Sequence, residues 1–194
     1  ANEMKLLEGI QKEHDEVRGL FLQIENDEER AAEYFDQLAV LVLSHHEAEE
    51  QVVFEQLPGD KESKELKLEL IAEHDNVRRV MQVVLDTDPE DDHWAARCKV
   101  VKEVFAHHIE EEENELFGTL REELSEADMD KLYKKFEAAE GKAKPEMQKM
   151  VKAKMILKPE HVLPLALKDA LDNEKKPAPK KKPAAKSAKA SAKS

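Results

Sequence analysis

Ser44-His45-His46-Glu47-Ala48-Glu49-Glu50 returns further along the chain as Ala106-His107-His108-Ile109-Glu110-Glu111-Glu112-Glu113. In each copy a histidine precedes a glutamate by four residues: His45 before Glu49, and His108 before Glu112. On an α-helix that spacing sets the two side chains roughly 40° apart around the axis and about 6 Å apart along it. Both can then reach one metal ion, or two adjacent ones. A shorter repeat accompanies the first, with Glu13-His14-Asp15-Glu16-Val17-Arg18 recurring as Glu73-His74-Asp75-Asn76-Val77-Arg78. The chain therefore reads as two similar helix pairs, related by a pseudo-two-fold axis that presents matched ligands to two metals.

The sequence around these repeats is built for helices. Gly is scarce, aromatics make up 5%, and 39% of the 194 residues are charged, an all-α composition dominated by Ala, Leu, Glu and Lys. The first predicted helix spans about residues 3–25, with Leu7, Ile10, Val17, Phe21 and Ile24 at helical spacing. The second spans about 28–57 and is stopped by Pro58-Gly59-Asp60. The third, about 63–85, carries Leu66, Leu70, Val77, Met81 and Val84 on one face, and the fourth covers about 91–121. Short connections between long helices imply an up-down-up-down antiparallel four-helix bundle. A fifth helix is expected from a capped start at Ser125-Glu126-Ala127-Asp128 to about Glu140, before Gly141. The division that follows is a metal-binding bundle over 1–140, a helical extension over 141–173 interrupted by Pro159 and Pro164, and a disordered Lys/Ala/Pro-rich tail over 174–194.

Charge divides the chain as well. Setting aside the eight lysines of 175–194, which has no acid, the net −13 leaves −21 on residues 1–174. A body that acidic repels nucleic acid and attracts cations. Cys98 is the only cysteine, so no internal disulfide forms. No signal-peptide pattern opens the chain and no apolar run approaches the ~18–20 residues that span a bilayer. The expectation is a soluble cytoplasmic protein with no membrane partner.

Four histidines fall on apolar stripes. His14 lies four after Ile10 and three before Val17; His74 lies four after Leu70 and three before Val77. His45 follows Leu38 and Leu41, and His108 follows Val101 and Val104. An inward imidazole must be hydrogen-bonded or coordinated, because an unpaired buried polar group costs roughly 1–3 kcal/mol. Burying Glu49 and Glu112 without a cation would set two like charges against each other. Imidazole with carboxylate suits iron, manganese or zinc, and the absence of thiolates argues against a structural zinc knot. Carboxylates able to bridge two metals inside a four-helix bundle favour a di-metal site of the oxygen-handling type. His93, at the start of the fourth helix, and His161, between two prolines, are assigned no metal.

Taken as a set, these residues resemble the hemerythrin-like HHE cation-binding domains: a lone His, a His-x-x-x-Glu, a His, and a second His-x-x-x-Glu on successive helices. Glu-Glu-Gln-Val-Val-Phe ending at Phe54, Glu-Glu-Asn-Glu-Leu-Phe ending at Phe117, and Leu-Ser-Glu-Ala-Asp from Leu124 into Phe136-Glu137-Ala138-Ala139 extend the likeness over about residues 1–140. The resemblance implies a di-iron centre with His14, His45, Glu49, His74, His108 and Glu112 as ligands, Glu49 and Glu112 being the bridges. The invertebrate oxygen carriers have a second His one turn after the helix C ligand, where this chain has Arg78. His46, or a solvent molecule, is left to fill that position. His107 competes with His108, since its five-residue spacing to Glu112 is that of the oxygen carriers; His108 is preferred because it copies His45 to Glu49.

The resemblance implies binding of, or reaction with, O2, H2O2 or NO, with peroxide handling in oxidative stress favoured. The alternative is a non-enzymatic iron, redox or oxygen sensor, or an iron-binding protein. Separately, the lysines of 175–194 suit non-specific contact with nucleic acid or another polyanion by counterion release.

Overall fold

A computed structural model describes residues 5–158 and His161. The segments expected at 162–173 and in the tail at 174–194 lie outside these residues. Everything described is helix, turn or connection. Helix α1 spans Lys5–Asn26, α2 Ala31–Ala48, α3 Lys61–Leu85, α4 Trp94–Glu111, α5 Phe117–Glu123 and α6 Glu126–Lys152. The chain is an all-α, hemerythrin-like helical bundle. None of these helices is long and apolar enough to cross a membrane.

Local chemistry sets the starts and stops. The Asp60 carboxylate accepts the Ser63 amide at 2.9 Å and opens α3, satisfying a donor that the first turn leaves unpaired. Ser125 does the same for the Asp128 amide at the start of α6, the cap anticipated from sequence. Leu57 turns extended before Pro58 and ends the second helical stretch.

Neither long helical stretch is uniformly α. A π-helical turn, Glu49–Val53, continues α2, and another, Glu112–Leu116, continues α4 into α5. Each begins on the glutamate of a His-x-x-x-Glu pair. Such turns are rare and concentrate at functional sites; periodicity alone does not announce them.

The stop expected at Gly141 does not occur: α6 runs through Gly141 and Pro145 to Lys152. Pro145 removes the hydrogen bond to the Gly141 carbonyl. Both residues face solvent, where water can take that carbonyl, while Ala143, Met147 and Val151 on the other face are buried. Burial wins over the local propensity. Beyond α6, the left-handed Lys154 (φ 54°) turns the chain back toward α3. There Gln82 donates to the Lys154 carbonyl and accepts from the Ile156 amide, both at 2.8 Å. Arg78 donates to the Ile156 carbonyl at 2.8 Å, so the arginine that departs from the oxygen-carrier pattern anchors a strap.

The core is split at mid-height. One apolar cluster gathers Val17, Phe21, Leu38, Val42, Val77, Met81, Val101, Phe105, Met147 and their neighbours. The other gathers Leu6, Ile10, Val53, Phe54, Leu70, Leu116, Phe136 and theirs. Between them lies a polar layer. On α1, Ile10 and Val17 belong to opposite clusters and His14 lies between them; on α3, His74 lies likewise between Leu70 and Val77.

Candidate metal centre

The polar layer contains five buried histidines, His14, His45, His46, His74 and His108, and two fully buried glutamates, Glu49 and Glu112. The Nε2 atoms of all five imidazoles and all four carboxylate oxygens are out of reach of solvent and without a hydrogen bond. They nevertheless crowd together. Glu49 Oε1 lies 2.5 Å from His45 Nε2, and its Oε2 lies 3.1 Å from His74 Nε2. Glu112 Oε2 lies 3.3 Å from His14 Nε2, and its Oε1 lies 2.9 Å from His108 Nε2. These approaches lack hydrogen-bond direction, so the atoms aim at shared points between them rather than at each other.

Two donor groups result, each compact to within 4.8 Å. His14 and His45 gather with Glu49 and Glu112; His46, His74 and His108 gather with Glu49. Glu112 also reaches the second group, with Oε1 3.6 Å from His74 Nε2. Each glutamate thus turns one oxygen to either group. Leaving nine such atoms unpaired would be prohibitive, and an imidazole and carboxylate donor set without thiolates fits a pair of divalent cations.

An outer ring of carboxylates fixes four of the imidazoles through Nδ1. Glu13 meets His45 at 3.0 Å and Glu73 meets His108 at 2.7 Å, each within one helix pair. Glu50 meets His74 at 3.4 Å and Glu113 meets His14 at 3.0 Å, each across the two pairs. An Nδ1–H donated to these acids leaves the Nε2 lone pair directed inward, the orientation a ligand needs. The ring obeys the pseudo-two-fold repeat, and its members stand next to inner residues in sequence: Glu13 before His14, Glu73 before His74, Glu50 after Glu49, Glu113 after Glu112. That adjacency, repeated twice, was the available signal.

Electrostatics agree with a site that calls for positive charge. Burial opposes charging His45, yet Glu49 and Glu13 hold its pKa well above the ordinary histidine value. Burial likewise opposes charging His74 and His108, and the surrounding glutamates raise both. Glu112 is held well below the carboxylate range against its own burial, chiefly by His108. His46 goes the other way: burial, then the neighbouring His74 and His108, push it well down. A neutral imidazole with a free lone pair is a metal ligand in waiting.

The remaining histidines separate clearly. His46 stacks on His74 with ring centroids 3.6 Å apart, inside the layer. His107 is 75% exposed and faces Glu73 and Glu111 at 3.8 Å, away from the inner glutamates. His93 is exposed and pairs with Asp91 at the approach to α4, and His161 lies 3.9 Å from Asp75. Sequence reasoning missed Glu140, which α6 brings to the layer. It lies 4.0 Å from His45 Nδ1, and burial with the adjacent Glu13 pushes its pKa to about 9.

The hemerythrin HHE cation binding domain is the family whose sequence pattern matches, over residues 5–120. A protein of Nostoc sp. named DNA nickase is 27% identical over 147 residues, 72% of this chain. The chain spans only 40% of that relative's length. No solved structure matches.

Proposed function

The chain belongs to the hemerythrin HHE cation-binding domain family, and from that premise we propose that it holds two iron ions and uses them on O2, H2O2 or NO. The carrying observation is the set of nine unpaired buried donor atoms in the polar layer. His14 and His45 would hold one ion, His46, His74 and His108 the other, and Glu49 and Glu112 would bridge them. When bound, such an iron pair supplies reversible redox chemistry toward small oxidants. The protein's own part is to orient and to exclude. Glu13, Glu50, Glu73 and Glu113 hold the Nδ1 protons, while Phe54, Phe105 and Phe136 pack against the imidazoles at 5.3–6.4 Å between ring centroids and keep bulk water out.

Anaerobic loading with Fe(II) should give two irons per chain and, after oxidation, oxo-bridged di-iron absorption bands. Uptake limited to one ion would sink the reading. Adding H2O2 to the loaded protein separates the uses: sustained O2 evolution marks peroxide handling, and its absence with a reversible spectral change marks a sensor.

A second reading concerns polyanions. It is supported by the eight lysines of residues 175–194 and by the name of the Nostoc relative, DNA nickase. Binding to DNA should vanish when 175–194 is deleted and should weaken with salt, with a log–log slope no steeper than about −7 if every lysine meets a phosphate. Salt-independent binding would move the contact onto the bundle.

A further inference from the structure

A cavity of about 310 Å³ opens on the surface between α1 and α4, lined by Arg18, Phe21, Leu22, Phe105, Ala106 and Ile109, with Lys102 at its rim. Its walls are apolar. Both cations are already engaged: Arg18 with Asp15 at 2.7 Å and Glu113 at 3.6 Å, and Lys102 with Glu25 at 2.6 Å. Neither is left over to recruit an anion into the cavity.

What lies behind the wall gives the cavity its meaning. The Phe105 ring that lines it stands 6.2 Å from the ring of His14, 6.3 Å from His46 and 6.4 Å from His108. His14 belongs to one donor group, His46 and His108 to the other. One aromatic ring therefore separates the exterior from the polar layer. Phe21, at 6.3 Å from Phe105, is the adjoining panel.

We propose that this cavity is the entry passage by which a small uncharged ligand, dioxygen or nitric oxide foremost, reaches the polar layer, and that Phe105 is its gate. The inference rests on the proposed metal pair and names the ligand class that reaches it. A charged ligand would shed its hydration against apolar walls at large cost. A neutral diatomic molecule loses almost nothing there, and a rotation of one phenyl ring is enough to admit it.

The test uses two variants and two readouts. Ala106 is exposed, so Ala106→Trp fills the cavity without touching the core; Phe105→Val thins the gate. In iron-loaded protein with unchanged metal content, NO association followed by stopped-flow absorption should slow about tenfold or more in Ala106→Trp and quicken in Phe105→Val, a range ordinary for association rates among variants of one site. The second readout needs no metal. Dissolved xenon, an apolar probe of cavities, should shift the NMR signals of Leu22, Ala106 and Ile109 in the full-length protein, and Ala106→Trp should abolish those shifts. NO rates equal to those of the unaltered protein in Ala106→Trp would overturn the passage, as would no xenon shift at these residues. Protein that takes up no iron would defeat the metal reading instead, and the xenon result would still decide the cavity.

Discussion

His46 and Ile109 hold equivalent places in the two halves of the bundle, each three residues before its inner glutamate, and they break the symmetry of the centre. Both are buried, but only His46 is a donor, so one donor group has three imidazoles and the other two. His46→Leu should therefore lower metal content from two ions to one after chelator challenge, measured by plasma emission, while His107→Ala and His93→Ala retain both. Glu49→Gln and Glu112→Gln each remove a carboxylate that approaches both donor groups. Each should cost most of the bound metal and lower the thermal midpoint of the loaded protein, because metal binding is coupled to folding; full metal content in the double variant would refute bridging. His14, His45, His74 and His108 were legible because each has apolar neighbours three or four residues away. His46 was legible only through the family resemblance, as an alternative to solvent, since it sits 100° around the helix from His45 and a single stripe holds only one of them. It is buried because α3 and α4 cover that side of α2, with the His74 ring stacked on it at 3.6 Å and Phe105 and His108 alongside, a tertiary fact. The outer ring left only its adjacency in sequence to the inner residues as a signal, because an acid beside an inward side chain points sideways and packing decides which helix meets it there.

Helix α6 is the element that sequence patterning most understated. Phe136 belongs to one apolar cluster and Ala143 to the other, with Glu140 between them at the height of the polar layer. The helix is a full fifth member of the bundle, and Gly141 reads as its end only when local propensity is weighed without the apolar face it continues. Its seat on α1 depends on Gly9. A Cβ there would collide with the Tyr133 ring, whereas one at Gly19 would meet nothing within 4 Å. Both glycines are in α1, where Gly→Ala gains up to about 1 kcal/mol of helix propensity. Gly19→Ala should show that gain in the denaturant midpoint. Gly9→Ala should lose stability, since overpacking costs about 1–3 kcal/mol; equal midpoints would mean that Tyr133 swings aside freely.

For the whole molecule, the polar layer makes stability depend on pH and on metal together. In chelated protein, His45, His74 and His108 have raised pKa values, so the stability their charged forms contribute is fully present below the unfolded histidine value and lost as pH rises through the folded values. Glu112 is depressed, and its contribution is present above the unfolded carboxylate value and lost as pH falls through the folded one. Chelated protein should thus weaken on the alkaline side, and loaded protein should not, because coordinated imidazoles are already deprotonated. Urea titrations from mildly acidic to alkaline pH compare the two, and parallel curves would refute the argument. The divided core has a mechanical consequence as well. Helices α1, α2 and α3 run on unbroken from one apolar half to the other, so bound ions would pin each of them at the height of the polar layer through the donors it contributes. Releasing the ions would leave two dry blocks joined by a layer of buried polar groups, and the bundle would acquire a waist at which it can flex. Deuterium exchange should then quicken first at the amides around His14, His45, His74 and His108 and only later toward either end, so that metal occupancy is written into the stiffness of the bundle.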